Sequence, residues 1–258
     1  MRVRVLGCGG SSGTPALDWG WGRCDPDNPR NRRLRPSILV EEGATRILVD
    51  TSPDLRQQLL EAQVDDLDAV VLTHYHADHL HGIDDLRPIN RLKNGPIDLF
   101  GDPATLQQVR ERFGYVLEPL ADGAGVYYKP TLTPHEVHDR EVFRVGSIEV
   151  SAFVQDHGYC ESLGLRFGPV AYSTDVVNLP DHAFAMLDGI KIWIVGVLAR
   201  DPHPTHAHLA KALDWIARVK PERAYLTHLS GLFDYAALLA ELPSGVEPAF
   251  DGLIIEYP

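Results

Sequence analysis

A short apolar, β-branched-rich run, Leu67 to Thr73, leads directly into Thr73-His74-Tyr75-His76-Ala77-Asp78-His79-Leu80-His81-Gly82. Three histidines and one carboxylate thus fall within the six residues His74 to His79, at the end of a strand. Burying that many ionisable groups is costly unless something compensates them. A divalent metal does so, because neutral imidazoles and carboxylates are good zinc ligands. The spacing also divides the set. His74 and His76 lie two apart in extended chain and point the same way. Asp78 and His79, at the start of the next turn, can address a second ion. A chance polar loop would leave this density of ionisable groups without a reason.

Each zinc site needs three or four protein ligands, so one motif does not complete two sites. The remainder must come from downstream strand ends. His157 follows the apolar strand that ends near Val154. Asp175 follows Ala171 to Thr174, and His228 follows Ala224 to Thr227. A lone strand-end histidine is more often structural than a ligand. Combined with the first motif, the three become a coherent rim of ligands along one sheet edge.

The remaining pattern supports two sheets with helices outside them. Arg2 to Leu6 alternates like a strand and runs into Gly7-Cys8-Gly9-Gly10-Ser11-Ser12-Gly13. That loop lacks the GxGxxG spacing of a dinucleotide site, and Thr14-Pro15 follows it instead of an apolar helix. Residues 16–36 read as a long polar loop, of a kind often functional. Ser37 to Val40 and Thr45 to Val49 form a hairpin. Asp54 to Ala62 has helical character, with Pro53 at a first-turn position. Helices are expected over 85–92, 103–112, 208–219 and 235–241. Strands are expected over 142–154, 162–173, 190–197, 223–227 and 253–257, with 115–140 irregular. Strands in hairpins and runs, with helices between groups, favour an α+β four-layer αββα sandwich built as one domain over residues 1–258.

Net charge narrows the partners. With 36 acidic against 24 basic residues the formal charge is −12. Such a surface repels polyanions and argues against nucleic acid as the partner. Bound cations can still invert the field inside a site and admit a small anionic substrate. The three cysteines, Cys8, Cys24 and Cys160, form no CxxC pair. That usage fits a reducing, cytoplasmic compartment. No apolar run reaches the roughly 18 residues of a membrane span, and the first residues lack an apolar leader. A homodimer is compatible with all of this.

The motif His74-x-His76-x-Asp78-His79 resembles the signature of the metallo-β-lactamase superfamily. Asp50 after Ile47-Leu48-Val49, then His157, Asp175 and His228, match its other motifs in order. The resemblance implies that His74, His76 and His157 hold one metal and that Asp78, His79 and His228 hold another. Asp175 would bridge both, with Asp50 supporting them from behind. Within the superfamily the chain is most similar to the PhnP-like phosphodiesterases, which cleave cyclic ribose phosphates. This similarity rests on Leu6-Gly7-Cys8-Gly9-Gly10, Arg32-Arg33 with Ser37, Leu72-Thr73-His74-Tyr75-His76, Leu226-Thr227-His228 and Phe250-Asp251-Gly252. His206 matches a histidine thought to act beside the metals there. One departure is clear. A cysteine-rich loop that binds a structural zinc in that family keeps only Cys24 here, and its histidine position is Gly231, so no structural zinc is expected.

The resemblance implies two divalent ions, Zn²⁺ or Mn²⁺. Held roughly 3.5–4 Å apart, such ions bring the pKa of a bridging water toward about 7. The resulting hydroxide would cleave a small phosphorylated substrate, a cyclic nucleotide or ribose phosphodiester. Asp78 is named with His206 as catalytic, His206 as the proton donor to the leaving oxygen. The alternatives are a nuclease resembling the tRNA 3′-processing enzymes, and a non-catalytic metal-binding relative. Arg30, Arg32, Arg33 and Arg35 could grip a phosphate or pair internally. His81 is a candidate supporting residue, while His182, His203 and His208 read as surface or loop residues.

Overall fold

The computed structural model describes residues 1–258. Strands β1 (Arg2–Gly7), β2 (Ser37–Glu42), β3 (Thr45–Val49), β4 (Ala69–Val71), β5 (Ile97–Gly101) and β6 (Leu132–Glu136) occupy the first half. They are followed by β7 (Val142–Val145), β8 (Ile148–Asp156), β9 (Glu161–Phe167), β10 (Val170–Ser173), β11 (Ile192–Gly196), β12 (Arg223–Thr227), β13 (Val246–Pro248) and β14 (Ile254–Glu256). One seven-stranded sheet runs β14-β1-β2-β3-β4-β5-β6, and the other β13-β12-β11-β10-β9-β8-β7. Strands β3 to β6 in the first sheet and β10 to β13 in the second are parallel.

Alternation along the strands sorts side chains between layers. Val3, Val5, Ile38, Val40, Ile47 and Val49 meet Val150, Leu165, Tyr172, Ile192 and Ile194 in the core between the sheets. The intervening residues Leu39, Leu48, Val70 and Leu99 face outward, where α1 (Leu55–Ala62), α3 (Arg87–Lys93) and α4 (Pro103–Phe113) cover them with Leu55, Leu59, Ile89, Leu106 and Val109. On the other side Ala171, Trp193, Val195 and Leu226 lie under α5 (Asp181–Met186), α6 (Leu209–Val219) and α7 (Tyr235–Glu241). Both faces of the central strands are therefore apolar, as strands covered on both sides require. The αββα sandwich is the observed architecture. Helix α6 buries Leu209, Ala212, Trp215 and Ile216 on one stripe, and full burial of a leucine or isoleucine side chain contributes roughly 1.5–3 kcal/mol. No helix is long and apolar enough to cross a membrane.

The sequence reading departs from the structure at the edges. Strand β6 lies in the stretch read as irregular, because Pro134 looks like a breaker. It is tolerated there because β6 is an edge strand. Strand β13, an edge strand of the other sheet, carries Pro248 and departs from the expected pattern in the same way. Strand β5 and helix α5 also went unassigned. Helix α1 begins at Leu55, one turn position after Pro53, with Asp54 at its cap. The Asp54 carboxylate does not cap the helix. It accepts the Arg35 backbone N–H at 2.8 Å and pairs with the Arg35 Nε at 2.8 Å.

Candidate metal centre

The proposed ligands all follow strands at one edge of the sandwich. His74 lies just beyond β4, His157 follows β8, Asp175 comes after β10 and His228 follows β12. The short helix α2 (Ala77–Leu80) carries Asp78 and His79. Asp50, Asp175 and His228 adopt left-handed backbone conformations, with φ of 66°, 46° and 57°. That region costs a non-glycine residue roughly 1–3 kcal/mol, least for Asp, Asn and His. Each of the three turns comes immediately after a strand, or within two residues of its end.

Two groups of donors result. His74, His76, His157 and Asp175 form one, and Asp78, His79, Asp175 and His228 the other; within each group the donor atoms lie within 4.8 Å of one another. Asp175 divides its oxygens between them. Its Oδ2 lies 3.5 Å from His74 Nε2 and 3.3 Å from His157 Nε2. Its Oδ1 lies 3.3 Å from His79 Nε2 and 3.0 Å from His228 Nε2. Asp78 Oδ2 is 3.5 Å from His79 Nε2 and 3.4 Å from His228 Nε2. His76 turns its Nδ1 inward, 3.1 Å from His157 Nε2.

The chemistry of the donors fits divalent ions. His79 Nδ1 donates to Asp50 Oδ2 at 2.6 Å, and His157 Nδ1 donates to the Thr205 carbonyl at 2.7 Å. His74 Nδ1 meets Thr73 Oγ1 at 3.1 Å, while that hydroxyl donates to Asp50. With Nδ1 engaged, each ring presents Nε2 to the centre. The Nε2 atoms of His74 and His79 are buried and have no hydrogen-bond partner. A buried nitrogen without a partner costs free energy that a metal bond would recover. Neutral imidazoles and carboxylates in this ratio suit Zn²⁺ or Mn²⁺.

The electrostatics show what the ions would replace. Burial opposes the charge on Asp175, but His228 and His79 hold its carboxyl well below the usual range. Asp78 is likewise held down against burial by His79 and His228. Burial disfavours the His79 cation, yet Asp175, Asp50 and Asp78 together raise it well above its ordinary value. His228 is also raised, against burial, by Asp175 and Asp78. A metal takes the neutral imidazole as its ligand, so binding competes with any proton that these carboxylates hold on His79 and His228. Affinity is expected to fall as pH falls. Titration calorimetry in buffers of different ionisation enthalpy should register net proton release at neutral pH; no release would contradict the assignment.

Asp50 is fully buried and accepts the Thr73 backbone N–H at 2.7 Å as well as the His79 ring. It orients His79 without belonging to either donor group. Asp50→Asn is expected to weaken metal binding by roughly 10–100-fold. A chelator-competition assay checks this, and unchanged affinity would remove Asp50 from the assembly.

His206 sits over the centre. Its side chain is 14% exposed, with Nδ1 4.0 Å from Asp175 Oδ2. Its ring centroid lies 4.9 Å from both His157 and His228. Burial, then the nearby His228, push its pKa down to about 3. The ring is thus neutral at pH 7, so it is not a ready proton donor in the free protein.

Other expectations change. His203, read as a loop residue, lies 5.2 Å from the His206 ring. His208 caps α6 by accepting the Lys211 N–H. His81 is exposed with its ring against Phe113 and stands outside both donor groups. Cys160, which no motif singled out, places its Sγ 3.7 Å from the outer nitrogen, Nε2, of His76.

Of the basic run only Arg33 is buried; Arg35 is half-buried, and Arg30 and Arg32 are exposed. Arg33 is 2% exposed. It donates to the carbonyls of Phe233 at 2.6 Å and Ser230 at 3.1 Å, and to Asn31 Oδ1 at 3.3 Å. Cys24 Sγ donates to the Phe233 carbonyl at 3.2 Å and lies 3.7 Å from Arg33 Nη1. Gly22, at φ 58°, brings the backbone so close to Gly231 that an added Cβ would sit 2.4 Å from its carbonyl oxygen. Guanidinium, thiol and backbone thus clasp the N-terminal loop to the segment just after His228. Arg35 pairs with Asp54, Arg30 packs over Tyr235 and Phe250, and Arg32 over Trp21.

A sandwich of this topology, with paired His/Asp groups sharing one carboxylate at its edge, defines a superfamily. The beta-lactamase superfamily domain matches residues 45–229. The chain belongs to the metallo-β-lactamase superfamily of hydrolases. A solved structure described as a new diphosphatase from the PhnP family superposes with a TM-score of 0.91 at 33% identity, over 100% of this chain and 98% of that one. An octanoyltransferase of Porphyromonas gingivalis is 32% identical over 259 residues, which is 98% of this chain but 51% of the relative. A ribonuclease Z of Bradyrhizobium sp. is 32% identical over 149 residues, 54% of this chain and 46% of the relative. The chain therefore spans about half the length of these curated relatives.

Proposed function

We propose that the chain is a dinuclear metal-dependent phosphodiesterase acting on a small phosphorylated substrate. The observation that carries the reading is a single carboxylate, Asp175, whose two oxygens serve two complete donor groups. His74, His76 and His157 would hold one ion, and Asp78, His79 and His228 the other. Two such ions supply a nucleophilic hydroxide at neutral pH and neutralise charge on the phosphoryl oxygens. The protein's own part is to fix them: Asp50 and the Thr205 carbonyl lock ring orientation, and Asp175 sets their spacing. The likeness to a PhnP-family diphosphatase over the whole chain supports phosphoester chemistry.

His206 assists from above the centre. Being neutral, it first offers a hydrogen bond. It can deliver a proton only when the negative charge of bound substrate raises its pKa. His206→Ala is expected to lower kcat by roughly 10²–10⁴ with metal content unchanged. If a proton is delivered, the loss is larger for an alkoxide leaving group than for nitrophenolate. Equal losses on both assign His206 to positioning, and no loss removes it from the chemistry.

A screen of Zn²⁺- and Mn²⁺-loaded protein tests the activity. Bis-p-nitrophenyl phosphate, cyclic nucleotides and a nucleoside diphosphate ester should be cleaved in preference to a thioester or a lactam. The ribonuclease Z likeness favours a second reading, and a precursor tRNA belongs in the same screen. The charge of −12 weighs against that outcome. Turnover of tRNA alone would transfer the assignment to the nuclease. Turnover of nothing would make the chain a metal-binding relative without activity.

A further inference from the structure

Beside the metal centre lies a pocket of about 310 Å³ that the metals do not occupy. Its floor is Gly10, where an added Cβ would lie 3.6 Å from the His228 ring. Its far wall includes His203, whose ring adjoins His206. The pocket therefore adjoins the centre through Gly10 on the His228 side and through His203 on the His206 side. Its rim is a tight hairpin: Ala16 and Gly20 exchange backbone hydrogen bonds at 2.8 Å in both directions, presenting Leu17, Asp18 and Trp19 at the tip. Trp19 is 68% exposed although it lines the pocket.

We propose that this pocket, which rests on the phosphodiesterase reading above, receives the nucleoside of a nucleotide substrate, with its base stacked on Trp19. Three features converge on that ligand. The lining holds no Lys or Arg, so the pocket is not built for phosphate, which the metal centre serves instead. It combines an aromatic face with short polar groups, the Ser11 and Ser12 hydroxyls and the Asp18 carboxylate. These suit the hydroxyls of a sugar and the amino group of a base, since a carboxylate only accepts. The volume lies at the small end of the roughly 300–1,000 Å³ of small-molecule sites, enough for one nucleoside and too small for a strand. His203 adds a specific donor. Its Nδ1 accepts from the Thr205 backbone N–H at 3.3 Å, which leaves the proton on Nε2.

The test measures binding of AMP and of ribose 5-phosphate to metal-loaded protein by calorimetry. Stacking of a base on an aromatic side chain is worth roughly 5–150-fold in affinity. AMP is expected to bind tighter than ribose 5-phosphate by a factor in that range. Trp19→Ala should remove the difference and leave ribose 5-phosphate unchanged, while Trp19→Phe should keep most of it. Equal affinities in the wild type, or an AMP preference that survives Trp19→Ala, overturns the proposal. So does a Trp19→Ala protein that changes only its oligomeric state in sedimentation, because the tip then contacts a second copy. Hydrolysis of bis-p-nitrophenyl phosphate by the wild type is scored separately. Cleavage without base preference leaves the phosphodiesterase and sinks the pocket; base-dependent binding without cleavage of any diester does the reverse.

Discussion

Asp175→Ala is expected to lower hydrolysis by at least about 10³-fold, more than the loss of a single transition-state donor in other enzymes. It should also drop bound metal below one equivalent per chain. The reason is geometric. Asp175 is 2% exposed and sends one oxygen toward His74 and His157 and the other toward His79 and His228. Its removal takes an anionic ligand from both groups at once and leaves neither with more than three protein donors. Replacing a ligand that serves one group only, as in His76→Ala, should spare the other group and retain about one equivalent. Metal analysis alongside kinetics separates the cases. Equal metal loss in Asp175→Ala and His76→Ala would contradict a shared carboxylate.

Arg33→Met is expected to destabilise the fold by about 1.5–3 kcal/mol, the contribution of hydrogen bonds made to a charged group. The guanidinium holds the carbonyls of Ser230 and Phe233 together with Asn31. Methionine fills the volume but removes the charge-assisted bonds, leaving each acceptor only its second donor: the Tyr235 N–H on Asn31, the Cys24 thiol on Phe233 and the Phe233 N–H on Ser230. At about 2–4 °C per kcal/mol for a chain of this size, Tm should fall by roughly 3–12 °C. Arg33→Lys should recover little, because an ammonium cannot reproduce the planar fork. Ser230 lies two residues beyond His228, so metal affinity should fall with stability. A thermal melt of metal-free protein isolates the structural part, and an unchanged Tm would show that the clasp carries no stability.

The ligand set was readable because each member combines a chemically specific residue with a strand end. His74 to His79 carried the signal by density, while His157, Asp175 and His228 needed the first motif to stand out from ordinary strand-end polar residues. The layers were readable from strands such as β3 and β11, apolar on both faces. What escaped lies in features that have no local pattern. The strained backbones at Asp50, Asp175 and His228 depend on where each strand stops. The Thr205 carbonyl and Cys160 meet the centre only through the packing of distant loops. The sequence leaves Arg33 open between gripping a phosphate and pairing internally, and only the fold reveals that it points into a buried clasp. His206 was legible in position but not in charge, since burial among other histidines decides its protonation. The edge strands β6 and β13 escape a local reading because Pro134 and Pro248 interrupt their strand pattern, which only an edge position tolerates.

Elemental analysis of the purified, metal-reconstituted protein tests the two-metal centre. Two equivalents of Zn²⁺ or Mn²⁺ per chain are expected, falling to about one in His76→Ala and below one in Asp175→Ala. Saturation at a single equivalent, unaffected by Asp175→Ala, would contradict it.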